Sequence, residues 1–327
     1  MQIRTLAGRV SGWFARSHVM NESLQVDEPL AAPKTAFVLL GGGARGAAQA
    51  GALTVLLEAG LRPDIIIGIS AGSWNGSYLA MDPTPERAAI LEGLWIATTS
   101  QEILGPRRWI MAVNAVANRA SLYGSAGMRR MAERQLQGRT FADVTVPLHI
   151  VATDLATGEA RYFSSGSLLP AVLASSSVPG VFPPVLLEGS VLVDGGITEW
   201  EGCQKAVELG ATRIVLVACG GVTAVASRLE SFRSILVRSM EVSNRSGFAR
   251  TVMALRGLGV EVLPVFPELT VGNMLDFDHA PTLIHAGRAA ARRALADWER
   301  ADAERTAANV VAKGQVAGVT PLRATAS

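Results

Sequence analysis

The fold is decided by the stretch Ile65-Ile66-Ile67-Gly68-Ile69-Ser70-Ala71-Gly72. Three isoleucines that run into small residues predict a buried strand ending in a sharp turn. The residues that follow, Ser73 to Ala80, can begin a helix. Gly68, Ser70 and Gly72 spell G-x-S-x-G, which at a strand–turn–helix elbow presents the serine oxygen at the end of the sheet. A five-residue match also arises by chance in plain tight turns, so the interpretation depends on the flanking strand and helix.

A second unit of the same kind lies upstream. Ala36 to Leu40 is an apolar strand that runs into Gly41-Gly42-Gly43-Ala44-Arg45-Gly46, and Ala47 to Ala59 has the alanine and leucine content of a helix. Two strand–helix units in succession predict a parallel sheet covered by helices. We therefore expect an α/β fold with three layers, α/β/α, and a mostly parallel central sheet.

The composition excludes several classes of protein. The 327 residues are 49% hydrophobic and 18% charged, which allows a sizeable core, and the net charge of +2 argues against a nucleic-acid binder. Two cysteines, Cys203 and Cys219, provide neither a disulfide framework nor zinc-ligand spacing. No apolar run reaches the ~18 residues of a membrane span, and the N-terminus lacks the apolar segment of a signal peptide. The expected location is cytoplasmic.

Three regions are predicted along the chain. Residues 1–33 are an arm and linker whose first half has apolar and arginine residues at the spacing of an amphipathic helix. Residues 34–305 form the main domain, which ends in a helix from Leu283 to about Arg305, and residues 306–327 are a loose tail. The arm and the cluster Arg107–Met111 can each lie on an anionic membrane surface. Each can equally be a helix docked on its own domain with solvated arginines.

A serine hydroxyl needs two further parts before it can attack an ester. A base must take its proton, and preorganised donors must hold the oxyanion that forms. The loop Gly41–Gly46 is the candidate for the donors, because successive backbone N–H groups at a helix N-terminus bind anions. Arg45 adds a positive charge or pairs with a carboxylate to hold the loop.

The candidates for the base are histidines and one aspartate. His279 and His285 lie late in the chain, in the Ser–Asp–His order of an α/β-hydrolase, but neither lies in a glycine-rich loop. Asp194 ends an apolar strand and precedes two glycines, so a carboxylate there can take the proton directly if partial burial raises its pKa. A plain turn aspartate would have the same sequence.

The glycine loop also permits a non-catalytic interpretation. Gly41, Gly43 and Gly46 spell the G-x-G-x-x-G of dinucleotide-binding proteins, in which case the chain would be a nucleotide- or lipid-binding module. That fingerprint requires an acid at the end of the second strand, whereas Asp64 precedes this strand. A Walker loop is excluded because the Lys-Ser/Thr pair is missing.

Several motifs together resemble those of the patatin-like phospholipases of bacterial type. The matching segments, in chain order, are Leu40–Gly46, Gly68–Gly76, Ala152–Gly158, Ala174–Pro184 and Asp194–Gly196. The resemblance implies a serine lipid acyl hydrolase in which Ser70 is the nucleophile and Asp194 its base. It also implies an oxyanion site on the backbone around Gly42, Gly43 and Arg45, with a phospholipid or other fatty acyl ester as substrate. No metal or cofactor is implied, and peripheral membrane contact fits such a substrate.

Overall fold

The fold is built on one large mixed β-sheet, as seen in a computed structural model that describes residues 33–105, 121–198, 202–222 and 232–317. The predicted N-terminal arm and the cluster Arg107–Met111 lie outside these described residues. Eight strands form the large sheet and two more form a small one, among the described residues. The strands are β1 (Thr35–Leu39), β2 (Ile65–Ile69), β3 (Leu148–Asp154), β4 (Ala160–Phe163), β5 (Val185–Leu187), β6 (Ser190–Asp194), β7 (Arg213–Val217), β8 (Gly221–Val222), β9 (Glu261–Val265) and β10 (Glu268–Leu269).

Helices connect the strands and cover the sheet. They are α1 (Gly46–Glu58), α2 (Ala71–Ala80), α3 (Pro85–Ala97), α4 (Ser100–Leu104), α5 (Ala126–Leu136), α6 (Leu168–Ser175), α7 (Cys203–Glu208), α8 (Phe232–Gly257) and α9 (Ala280–Ala317). Two longer loops carry single 3₁₀ turns that matter below, at Gly43–Arg45 and Gly195–Ile197.

In the large sheet each strand is hydrogen-bonded to the next along the path β5-β6-β3-β2-β1-β7-β9, and β4 also pairs with β3. Strands β3, β2, β1, β7 and β9 are parallel, whereas β4 and β6 run antiparallel to β3, and β5 runs antiparallel to β6. The chain passes from β1 through β2 to β3 and then continues on the other side of β1 with β7. The order therefore reverses beside β1, and ligands of open α/β sheets bind at the carboxyl ends of strands at such a point.

Both faces of the sheet are buried. In β1, Phe37 and Leu39 belong to the core under α1, α2, α3, α6 and α9, whereas Ala36 and Val38 belong to the core under α7 and α8. All four side chains are fully buried, which explains why β1 reads as a continuous apolar run rather than an alternating one. The expectation of a three-layer α/β/α fold with a mostly parallel sheet is confirmed.

The last helix differs from the prediction. It begins at Ala280 and continues to Ala317, so the segment 306–317, predicted to be a loose tail, is helical. Between Thr306 and Ala312 the chain contains no glycine or proline and three alanines, so nothing in its composition ends a helix that is already formed.

Candidate active site

Ser70 lies at a strained elbow between β2 and α2. Its backbone has φ 52° and ψ −121°, a left-handed conformation that side chains rarely adopt, and α2 begins at the next residue. The two flanking glycines allow the tight packing of this elbow. A Cβ on Gly68 would lie 2.6 Å from the carbonyl oxygen of Gly72, and a Cβ on Gly72 would overlap the carbonyl oxygen of Leu39. The elbow therefore holds the Ser70 hydroxyl at the carboxyl end of β2.

Strands β2 and β6 meet end to end along one edge of β3. Val151 of β3 pairs with Ile69, the last residue of β2, and the next residue, Ala152, pairs with Asp194, the last residue of β6. Strand β4 pairs with both Val151 and Ala152 and so occupies the opposite edge. Since a strand has only two edges, β2 and β6 share one. The chain thus brings Ser70 and Asp194 together at the junction of two strands that run toward each other.

The Asp194 carboxyl group is buried at this junction, with a residue exposure of 4%. Its Oδ1 accepts a hydrogen bond of 2.9 Å from the Gly196 N–H in the turn that follows β6. Burial raises the pKa of Asp194 to about 6, although hydrogen bonds from the Ser70 side chain and the Gly196 backbone act to lower it. A carboxylate with a pKa near 6 is ionised at neutral pH and is a stronger base than an exposed aspartate.

Three successive serines, beginning with the last residue of α6, hold the elements of this junction. The Oγ of Ser175 accepts a hydrogen bond of 2.9 Å from the Ser70 N–H, and the Oγ of Ser176 accepts one of 2.6 Å from Trp74 Nε1 on α2. The carbonyl of Ser177 accepts a hydrogen bond of 3.0 Å from the Asp194 N–H. Sequence reasoning noted these serines as part of a motif but assigned them no role.

The glycine loop follows β1 and contains a short 3₁₀ turn, Gly43–Arg45, before α1. Gly41 and Gly42 are buried, and Gly43 has φ +58°. The Ala44 N–H donates to the carbonyl of Met274 at 2.9 Å, and the Arg45 N–H donates to the carbonyl of Gly42 at 3.3 Å. The Gly46 N–H donates to carbonyls inside the turn. The N–H groups of Ala44, Arg45 and Gly46 thus donate to carbonyls of the protein. The candidates for binding an anion are therefore the N–H groups in the first half of the loop, Gly41–Gly43.

An apolar cavity opens at Ser70 and the glycine loop. Most of its wall consists of aromatic, methionine and other apolar side chains from α2, α3, α4 and α5, from the segment after α6 and from the segment before α9. The lining residues are Gly43, Ser70, Ala71, Trp74, Trp95, Ile103, Met128, Met131, Ser176, Val178, Phe182, Met274, Leu275 and Phe277. The free volume is about 40 Å³, which is room for a few water molecules. No charged residue lies among these described lining residues.

Comparison with known proteins identifies the family. The model of the family described as patatin-like phospholipase matches residues 37–199, which run from β1 past Ser70 and Asp194. Through this stretch the chain belongs to the patatin-like phospholipase family.

Two relatives illustrate the range of the family. Patatin-like phospholipase domain-containing protein 6 of Mus musculus is 29% identical over 187 residues, or 57% of this chain and 13% of that protein. Lysophospholipase nte1 of Aspergillus terreus is 31% identical over 190 residues, or 57% of this chain and 12% of that protein. The match thus spans about an eighth of the length of these relatives.

The similarity of this chain to solved structures is weaker. VipD from Legionella pneumophila superimposes with a TM-score of 0.46 at 14% identity and covers 85% of this chain and 72% of its own. ExoU in its complex with SpcU from Pseudomonas aeruginosa has a TM-score of 0.35 at 17% identity, over 81% of this chain and 52% of its own.

The two histidines considered as bases do not line the cavity of this patatin-like domain. The Nδ1 of His279 lies 3.1 Å from the Asp276 carboxylate, and its side chain is 46% exposed. His285 is exposed on α9. Neither is among the residues that line the cavity with Ser70.

Asp64, the acid nearest to the position that a dinucleotide fingerprint requires, lies at the wrong end of β2. The carboxylate of Asp64 accepts a hydrogen bond of 2.7 Å from the Thr35 N–H at the amino ends of β1 and β2. This is the edge of the sheet opposite Ser70. A ribose bound at the glycine loop would have no contact with it, which disfavours the nucleotide interpretation.

In the part of the chain that the structure describes, no three histidine, cysteine, aspartate or glutamate side chains are grouped in a way that could hold a metal ion. In the same ranges no helix has the length and apolar character needed to cross a membrane.

Proposed function

We propose that this patatin-like domain is a serine acyl hydrolase that cleaves fatty acyl esters through an acyl-enzyme on Ser70, with Asp194 as the base. One observation carries the proposal. Strands β2 and β6 end against each other on β3, so the buried Asp194 carboxyl group lies beside the Ser70 side chain. The α/β-hydrolase alternative would need His279 or His285 beside Ser70, whereas both side chains are exposed and neither lines the cavity that contains Ser70.

The reaction follows from these two side chains. The Ser70 hydroxyl oxygen attacks the ester carbonyl carbon while its proton passes to the Asp194 carboxylate. The tetrahedral intermediate collapses, the alcohol leaves with the proton from Asp194, and the acyl group remains on Ser70. Asp194 then takes a proton from a water molecule that attacks the acyl-enzyme, and the proton returns to Ser70 as the fatty acid is released.

The oxyanion of the intermediate would be held by backbone N–H groups of Gly42 and Gly43. Gly43 lines the cavity beside Ser70, and the loop opens α1, whose N-terminus favours negative charge. Ala44 and Arg45, also expected from sequence, direct their N–H groups to carbonyls of the protein. Their part would be to fix the shape of the loop.

The cavity supports an apolar acyl group as the part of the substrate bound beside Ser70. Aromatic rings and three methionines dominate its wall. A free volume of about 40 Å³ is too small for a fatty acyl chain, so the chain can enter only if wall side chains move. Met128, Met131 and Met274 are suited to this, because the methionine side chain is flexible and adapts to irregular shapes. The phospholipase and lysophospholipase names of the relatives agree with such a substrate.

The test is hydrolysis of p-nitrophenyl butyrate and of a monoacyl phospholipid by the purified full-length chain. We expect Ser70→Ala to lose at least about 10³-fold in kcat/KM, because no other group replaces the nucleophile. The matched control is Ser239→Ala, which removes an exposed hydroxyl on α8 and should leave the rate unchanged. Full activity of Ser70→Ala would reject the proposal, and loss of activity on substituting His279 and His285 together would favour the triad.

A further inference from the structure

A buried chain of side-chain amides lies directly under the glycine loop. Gln49 on α1 and Asn75 on α2 are both fully buried. The Nδ2 of Asn75 donates to the Oε1 of Gln49 at 2.9 Å, so the two amides act as one hydrogen-bonded pair. Neither residue lines the cavity, and the chemistry described above uses neither of them.

This amide pair binds both ends of the loop. The Nε2 of Gln49 donates to the carbonyl of Leu40 at 3.2 Å, just before the loop begins. It also donates to the carbonyl of Val217 at 2.7 Å, on the neighbouring strand β7. The Nδ2 of Asn75 donates to the carbonyl of Gly46 at 3.0 Å, where the loop ends. Because these donors are buried and their acceptors are backbone carbonyls, the pair fixes the span of the loop between its two ends.

The same pair is joined to the wall of the cavity through Trp95. The Nε1 of Trp95 donates to the Oδ1 of Asn75 at 2.8 Å. The ring of Trp95 lines the cavity and stacks on Phe277, with centroids 6.4 Å apart and planes at 9°. It also lies against the end of the loop, since a Cβ on Gly46 would be 2.5 Å from Trp95 Cζ2. A displacement of this ring therefore reaches the loop both by packing and through Asn75.

We propose that Asn75 and Gln49 are positioning residues for the oxyanion loop and that Trp95 couples this loop to the acyl cavity. The proposal rests on the proposed hydrolase function for its kinetic consequence, although the hydrogen-bonded link itself does not. An acyl group that fills the cavity presses on the Trp95 ring, and Trp95 holds Asn75 and the loop in the position that receives the oxyanion.

The test compares Trp95→Phe with wild type and with Trp298→Phe. Trp95→Phe keeps an aromatic ring in the wall but removes the N–H that reaches Asn75. Trp298 lies on α9, where its ring packs under Arg213. Trp298→Phe therefore makes the same substitution outside the cavity wall and serves as the control. Asn75→Asp is a second variant of the same size, which retains an acceptor for Trp95 but loses the amide donors to Gly46 and Gln49.

Two readouts distinguish failure of this inference from failure of the proposed function. In hydrogen–deuterium exchange, Trp95→Phe and Asn75→Asp should each speed exchange in residues 40–46 by about tenfold, with no change in β9. In hydrolysis of p-nitrophenyl butyrate, Trp95→Phe should lower kcat by about tenfold and leave KM within about twofold. Loop exchange equal to wild type in both variants would overturn the link.

The kinetic measurements also distinguish failure of the coupling from failure of the proposed function. A rise in KM alone in Trp95→Phe would mean that Trp95 only contacts the acyl group, which overturns the coupling. A wild-type protein without esterase activity would refute the proposed function, and the exchange experiment would then still decide whether Trp95 and Asn75 hold the loop.

Discussion

Replacement of Asp194 by asparagine should make the protein more stable at neutral pH while it abolishes hydrolysis. The buried carboxyl group has a pKa of about 6, against an ordinary value of 3.8. Between these two pH values the folded protein retains a proton that the unfolded chain has released. Stability therefore falls as the pH rises through this window, and ionised Asp194 destabilises the fold above it.

The magnitude follows from the size of the shift. A difference of about two pKa units, at 1.36 kcal/mol per unit, corresponds to about 3 kcal/mol. Asparagine occupies the same volume and retains an oxygen that can accept the Gly196 N–H, but it carries no charge at any pH. Because a small part of this change lies below pH 4, the stability of Asp194→Asn relative to wild type should increase by about 2 kcal/mol between pH 4 and pH 7.

The assay is urea unfolding of both proteins at several pH values between 4 and 7, followed by intrinsic tryptophan fluorescence. Asp143→Asn provides a control with an almost flat profile. Hydrogen bonds from Thr140 lower the pKa of the exposed Asp143 below its ordinary value of 3.8, so this carboxyl group is ionised in the folded and in most of the unfolded protein above pH 4, and the stability of the variant relative to wild type should change little between pH 4 and pH 7. A stability difference between Asp194→Asn and wild type that does not change with pH would refute the claim that burial raises the pKa of Asp194.

Three further substitutions test the geometry around Ser70. Ala152→Leu places a large side chain beside the junction of β2 and β6 and should lower kcat by about 10²-fold, since small displacements of reacting groups have effects of that size. An unchanged kcat would show that the junction accommodates the larger side chain without displacing Ser70 or Asp194. Ser175→Ala removes the acceptor of the buried Ser70 N–H and should destabilise the fold by about 1–3 kcal/mol in urea unfolding, whereas Ser175→Thr should restore part of this. Gly43→Ala forces a Cβ into the Met274 carbonyl at a residue with φ +58° and should lower kcat by about 10²-fold or more, unless the loop plays no part in the reaction.

Much of the fold could be predicted because its signals are local. The apolar strand before Ser70 and the glycines on either side of it predict an elbow, because the backbone there needs small residues. The runs of apolar residues in β1 and β2 predict a parallel sheet buried on both faces. The helix over residues 306–317 could not be predicted, because no residue near Arg305 or Thr306 shows where a helix of this composition stops.

The junction of β2 and β6 could not be predicted in the same way. Ser70 and Asp194 are more than a hundred positions apart, and only the pairing of both strands with β3 shows that they meet. The hydrogen-bonded amide pair Gln49–Asn75 could not be predicted either. Polar residues inside predicted helices are usually exposed, and the sequence does not show that these two are buried against the ends of the glycine loop. Long-range pairing and burial therefore decide the parts of the site that local patterns leave open.

The most direct test of the central claim is covalent labelling by a fluorophosphonate probe, with the modified peptide identified by mass spectrometry. We predict that wild type is labelled at Ser70 and that Asp194→Asn, with its fold intact, is labelled at least about 10²-fold more slowly, because the base is gone. Labelling of Asp194→Asn at the wild-type rate would contradict the claim that Asp194 activates Ser70.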